Sequence, residues 1–186
     1  WIRDGAMISG GLLRLGRPEV VKEYVEYYAP YQFENGKVPC CVDDRGSDPV
    51  PENDSHGELI FNIAEYYRYT GDKDFLKKMW PHVQGAFAYM EELRLSERTE
   101  ANRAVNAAFY GMMPASISHE GYSAKPMHSY WDNFWALRGY KDAVEVAEAL
   151  GKAAAPKRMA ASRDQFRDDL YASLRAATQL HGIHYL

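Results

Sequence analysis

Apolar positions recur along the chain at helical spacing, and the recurrences come in pairs. Ala6, Met7, Gly10 and Leu13 predict a helix after Asp4 that stops at Gly16. Pro18 opens a second, with Val20, Tyr24 and Tyr28 on one face and Val21 and Val25 beside it. Residues 35–53 carry glycines, prolines and acidic groups that break any period and predict a long loop. Ser55 and Glu58 have capping-box spacing, and the rows Leu59, Ile63, Tyr67 and Ile60, Ala64 predict a third helix ended by Gly71. A short turn over 72–79 then leads to a fourth helix, opened by Pro81, with Val83, Phe87 and Met90 on one side. From Ser96 to His128 the signal weakens: a short helix fits 99–108, and 112–126 reads as an ordered loop. Ser129 starts a fifth long helix closed by Gly151, and Phe166, Leu170, Leu174 and Ala177 place a sixth between 162 and 180.

The pattern predicts an all-α chain of three helical hairpins, without an alternating run long enough for a useful strand. The helix-stopping glycines fall at unequal intervals, which excludes a strict short-period solenoid. Within each hairpin the return turn is short, whereas the connection to the next hairpin is long and rich in Asp, Glu, His, Tyr and Trp. Such an arrangement gathers the elaborate loops, and with them a pocket, at one end of the assembly.

Composition narrows the function classes. With 186 residues, 46% of them hydrophobic, the chain can bury one sizeable core, so 1–186 reads as a single domain. A net charge of −4 without a Lys/Arg block offers no footprint for nucleic acid or anionic lipid. The longest uncharged stretch, Ala104 to His119, is interrupted by Asn106 and Pro114 and is too short to span a bilayer. Cys40 and Cys41 are adjacent, which makes neither a disulfide framework nor a spaced metal-ligand pair. The histidines, at 56, 82, 119, 128, 181 and 184, fit no zinc motif, and the acidic loop with Asp43, Asp44, Asp48 and Glu52 lacks EF-hand spacing. No metal or cofactor is therefore expected. The chain opens on Trp1-Ile-Arg without a targeting segment and closes on Tyr185-Leu186, so it reads as a piece truncated at both ends, with its compartment and oligomeric state open.

Three segments could do chemistry. Asp4 either caps the first helix or joins Trp1 and Arg3 in a pocket, where rings stack on sugar faces and a carboxylate accepts hydroxyl hydrogen bonds. In the segment 52–58, Ser55 and Glu58 read as a structural capping pair, leaving Asp54 and His56 as pocket candidates. Asp132, among Tyr130, Trp131, Phe134 and Trp135, either closes a capping box with Ser129 or is a general acid whose pKa the rings raise against the helix dipole. Glu120, Tyr122 and Lys125 lie in the loop leading to that helix and complete the candidate set, with a solvated loop as the other reading.

Trp1-Ile-Arg-Asp4, the run from Asp54 to Asp72, Ser129-Tyr-Trp-Asp132 and Ala147-Glu-Ala-Leu-Gly151 resemble, in that order, the six-hairpin glycosidase superfamily of glucoamylase-like, trehalase-like and glycogen-debranching enzymes. The resemblance implies an (α/α)6 barrel present as a partial barrel of about six helices, with the remainder of the barrel and a carbohydrate substrate as partners. It implies sugar-binding roles for Trp1, Arg3 and Asp4, and Asp132 as the catalytic acid of an inverting hydrolysis whose base lies beyond residue 186. Glucoamylase-like members carry Trp-Glu-Glu where this chain has Trp131-Asp132-Asn133, so the resemblance is to the branches that use Asp. A related phosphorylase, or a noncatalytic carbohydrate-binding or helical interaction domain, are the other functions the same residues admit.

Overall fold

The computed structural model describes residues 1–183; residues 184–186, with His184 and the Tyr185-Leu186 end, lie outside the description. Among the described residues there are seven α-helices: α1 (Ile2–Arg14), α2 (Pro18–Tyr28), α3 (Ser55–Thr70), α4 (Lys73–Glu97), α5 (Glu100–Val105), α6 (Tyr130–Ala149) and α7 (Ala155–Leu180). Two small antiparallel hairpins interrupt them: β1 (Val42–Asp43) with β2 (Gly46–Ser47), and β3 (Ser116–Ser118) with β4 (Tyr122–Met127). In the first, Val42 pairs with Ser47; in the second, Ser116 pairs with Met127 and Ser118 with Tyr122, with an irregularity between them. The second hairpin lies in a segment expected to be loop. Its long strand is exposed along nearly its whole length and carries Pro126, so it has no buried face from which a strand could be read.

Helix stops follow the glycines: Gly16, Gly71 and Gly151 all have positive φ. Gly71 and Asp72 alone join α3 to α4. The Asp72 side chain accepts from Phe75 N at 2.9 Å, which starts α4 at Lys73 and makes helix of the expected turn over 72–79. Pro81 lies inside α4 and does not open it. A proline there costs about 3 kcal/mol. The helix continues because Phe75, Leu76, Met79 and Trp80 before it and Val83, Ala86, Phe87 and Met90 after it bury against the same core. The last helix likewise starts earlier than expected, at Ala155, with Pro156 in its first turn.

Helix α3 is the centre of the molecule. Eleven of its sixteen residues are buried, because α1, α2, α4 and α6 all pack on it. α1, α3 and α6 lie side by side; α2 leans on both α1 and α3, α4 on both α3 and α6, and α7 on α6. The core between them holds Leu59, Ile60, Ile63, Val83, Met90, Tyr140 and Phe166. Toward the C-terminal half of α3, Arg68 fastens it to α6 through Asp142 at 2.5 Å and Glu145 at 3.0 Å, and Arg138 reaches Asp142 at 2.7 Å. No described helix is long and apolar enough to cross a membrane.

Candidate functional site

The N-terminal ends of α1, α3 and α6 meet. Arg3 projects from the first turn of α1, Asp54 is the N-cap residue of α3, and Trp131 and Asp132 open α6. Asp54 is the hub: its Oδ2 accepts from Arg3 Nε and from Trp131 Nε1, each at 2.7 Å. Arg3 also donates to Ser118 Oγ at 3.2 Å and to Glu120, and lies 3.5 Å from Glu52. The two last contacts bring the β3–β4 turn and the acidic loop onto the same guanidinium. His119 closes the group, its backbone N–H donating to Glu52 Oε1 at 2.7 Å and its ring Nδ1 lying equally close. Trp1 stands edge-on to the His119 ring at 4.9 Å. Carboxylates gather here because three helix N-termini and one arginine stabilise negative charge.

Asp132 is 2% exposed, and Ser116 Oγ donates to its Oδ2 at 2.5 Å. Burial pushes its pKa up to about 7; the Ser116 hydrogen bond and Arg3 pull it down, and Asp54 and Glu52 add to the rise. Desolvation therefore outweighs the Ser116 hydrogen bond and the Arg3 charge. The capping-box reading fails: Ser129 Oγ accepts from Trp131 N at 3.2 Å, and the Asp132 carboxyl turns to Ser116. The capping box of Ser55 and Glu58 fails as well. Ser55 is already helical, and both oxygens of the fully buried Glu58 lack a hydrogen-bond partner. Burial, then Asp54, push the Glu58 carboxyl well above the usual carboxylate range, with Arg3 pulling the other way.

Of the candidate set, Trp1, Arg3, Asp54, Glu120, Trp131 and Asp132 come together. Asp4 does not cap α1, which begins at Ile2 with Trp1 as its N-cap residue. It is exposed, on a cleft between α1 and α2 with Ile8 and Tyr24. His56 is fully buried: its Nδ1 accepts from Val38 N at 3.1 Å, its ring meets Tyr89 edge-on at 4.8 Å, and burial followed by Lys37 lowers its pKa to about 3. It belongs to the core under the loop. Tyr122 is half-buried and Lys125 exposed on β4, neither joined to the Arg3 group by a described hydrogen bond. Glu52, Ser116, Ser118 and His119 were not ranked as site residues. Their signal was faint: a short polar hairpin and one acidic loop, joined only in three dimensions.

The group offers a carboxyl that titrates around neutrality, a guanidinium among carboxylates, and the half-exposed rings of Trp1 and Trp131. It can donate a proton and hold a polyhydroxylated ligand by hydrogen bonds and ring stacking. A separate cavity of about 310 Å³ lies on the flank of α6 that carries Tyr130 and Asn133, lined also by Phe109, Met112, His128 and Leu180. Its mostly apolar wall suits packing better than acid–base chemistry. Groups able to hold a metal ion are Cys40 with Glu52 and His119, and Cys40 with Cys41 and Asp48. No family model, curated protein or solved structure gives a significant match to the chain.

Proposed function

We propose that the chain is part of a glycoside hydrolase in which Asp132 protonates the departing glycosidic oxygen. The observation that carries this reading is the Asp132 carboxyl, which at a pKa of about 7 still holds a proton near neutrality and stands beside a polar, ring-flanked cluster. In this reading Arg3, Asp54 and Glu120 fix sugar hydroxyls, Trp1 and Trp131 stack on the ring, and Ser116 aims the acid. Inversion requires a second carboxylate across the sugar, roughly 6.5 to 9.5 Å away, to activate water. We also read the hairpins as part of an (α/α)6 barrel, with α1, α3 and α6 as the inner layer and α2, α4 and α7 outside. The side-by-side order of α1, α3 and α6, each second helix leaning on a neighbouring first helix, supports it.

One observation favours the second reading, a noncatalytic carbohydrate-binding domain: Asp132 is nearly inaccessible and already bonded to Ser116. Asp132→Asn in the intact enzyme separates the two. The catalytic reading expects turnover of a substrate with a poor sugar leaving group to fall roughly 10²- to 10⁴-fold, with a smaller loss for an activated phenolic leaving group. Wild-type turnover should decline as pH rises through about 7, because the acid must be protonated. Equal wild-type and mutant rates on both substrates would assign Asp132 to structure.

A further inference from the structure

The sugar-site reading leaves the vicinal cysteines without a role. Cys40 and Cys41 are buried, unbridged thiols immediately before β1. The β1–β2 hairpin folds the chain back so that Asp48 N–H donates to Cys41 O at 3.1 Å, which sets the Asp48 side chain beside the sulfurs. Asp48 Oδ1 is occupied by Val50 N at 2.9 Å. Its Oδ2 faces Cys41 Sγ at 3.7 Å, and the two sulfurs are 3.8 Å apart. The carbonyl of Cys40 accepts from Ile2 N at 2.9 Å, fastening the pair to the start of α1. Cys40 is also within 4.8 Å of ligand atoms on Glu52 and His119.

We propose that Cys40 Sγ, Cys41 Sγ and Asp48 Oδ2 bind a thiophilic divalent cation of the Zn²⁺ class, with the Glu52–His119 pair beside the fourth position. Tetrahedral zinc has Zn–S of about 2.3 Å and Zn–O of about 2.0 to 2.2 Å, which makes the S···S edge about 3.8 Å and the S···O edge about 3.5 Å. Two edges of that face, at 3.8 and 3.7 Å, already match, and the third, from Cys40 Sγ to the Asp48 carboxylate, lies within 4.8 Å, so binding needs a modest closure of that edge and loss of the thiol protons. Two thiols with a carboxylate and an imidazole nearby select zinc over calcium or magnesium, which take oxygen ligands at larger coordination number or keep their water. The triad of Cys40, Glu52 and His119 is the poorer face, because Glu52 Oε1 and His119 Nδ1 are engaged with each other at 2.7 Å. Sequence alone gave no metal site because the pair is adjacent; the hairpin supplies the third ligand and the β3–β4 turn the neighbouring pair. The cation would tie the start of α1 to both loops. It does not depend on the glycosidase reading.

Cobalt reports both the ligand type and the geometry. The purified, reduced chain titrated with Co²⁺ should take up one equivalent, with a sulfur-to-cobalt charge-transfer band in the near ultraviolet and the intense visible bands of a tetrahedral site, both displaced by Zn²⁺. Cys41→Ser should abolish the charge-transfer intensity assigned to its sulfur, and Asp48→Asn should weaken binding by about 10- to 100-fold, the range for losing a group that completes or orients a metal's shell. Asp48 is half-buried and its amide analogue keeps the turn to Val50, so that variant remains informative should Cys41→Ser fail to fold by circular dichroism. No stoichiometric sulfur-coordinated Co²⁺ in the folded wild type, or Co²⁺ binding unchanged in Asp48→Asn, would overturn the proposal.

Discussion

A carboxyl group at the start of a helix is pulled two ways: the backbone N–H groups favour its anion, and burial favours its acid. At Asp132 burial is the largest influence, and it should show in stability. Its pKa rises from 3.8 in the unfolded chain to about 7, so between those values the unfolded state binds fewer protons and stability falls as pH rises; above about 7 the loss is complete. Asp132→Asn removes that loss, and its stability relative to wild type should rise between pH 4 and pH 8 by on the order of 4 kcal/mol at most, measured by urea denaturation. A gap that stays constant with pH would contradict the raised pKa. Glu58 behaves alike for the same reason. Glu58→Gln should gain on wild type as pH rises above the ordinary carboxylate range, whereas a gap that stays constant with pH would contradict the raised pKa. Sequence marked Asp132 through its aromatic neighbours. It misread Glu58, because capping-box spacing three residues after a serine is the same whether the glutamate reaches back or turns into the core.

Elements were legible where a start signal and a terminating glycine agreed, as in α3 and α6. They were misread where one residue was given too much weight. Pro81 carries the signature of a helix start, although apolar residues continue at helical spacing on both sides of it. The close backbone crossing of α3 and α6 was not legible at all. α3 and α6 cross through Gly57 and Gly139: a Cβ on Gly57 would lie 2.0 Å from Trp135 O, and one on Gly139 would lie 2.7 Å from Gly57 Cα. Since backbone cannot yield as a side-chain tip can, Gly57→Ala should destabilise by about 1 to 3 kcal/mol or more. On α1, Gly11 has nothing within 4 Å of its added Cβ, so Gly11→Ala should stabilise by about 0.4 to 1 kcal/mol. Denaturation midpoints that move in the same direction would refute the close crossing. This crossing also sets how near Asp54 and Trp131 come, so the site's dimensions rest on two residues that carry no chemistry.

At the scale of the molecule, the gathering of long loops at one end was legible from loop length and composition, and the convergence of Arg3, Asp54 and Trp131 is its outcome. Pairings across loops were not, because Arg3 with Glu120 and Ser116 with Asp132 depend on a polar hairpin that leaves no periodic trace. The outer flanks carry a further consequence. α1 exposes Met7 and Ile8, and α7 exposes Tyr171 and Leu180, at the two ends of the helix array. If those flanks belong to a larger barrel, the chain alone should self-associate, with a sedimentation coefficient that rises with concentration and falls back in Met7→Ser/Ile8→Ser. A concentration-independent monomer would argue against the partial barrel. α6 begins on an acid whose pKa is raised toward neutrality, and the most direct measurement of that is the carboxyl-carbon NMR titration of Asp132, assigned by its loss in Asp132→Asn. The account predicts a midpoint near pH 7; a midpoint near 4, the ordinary carboxylate value, would contradict it.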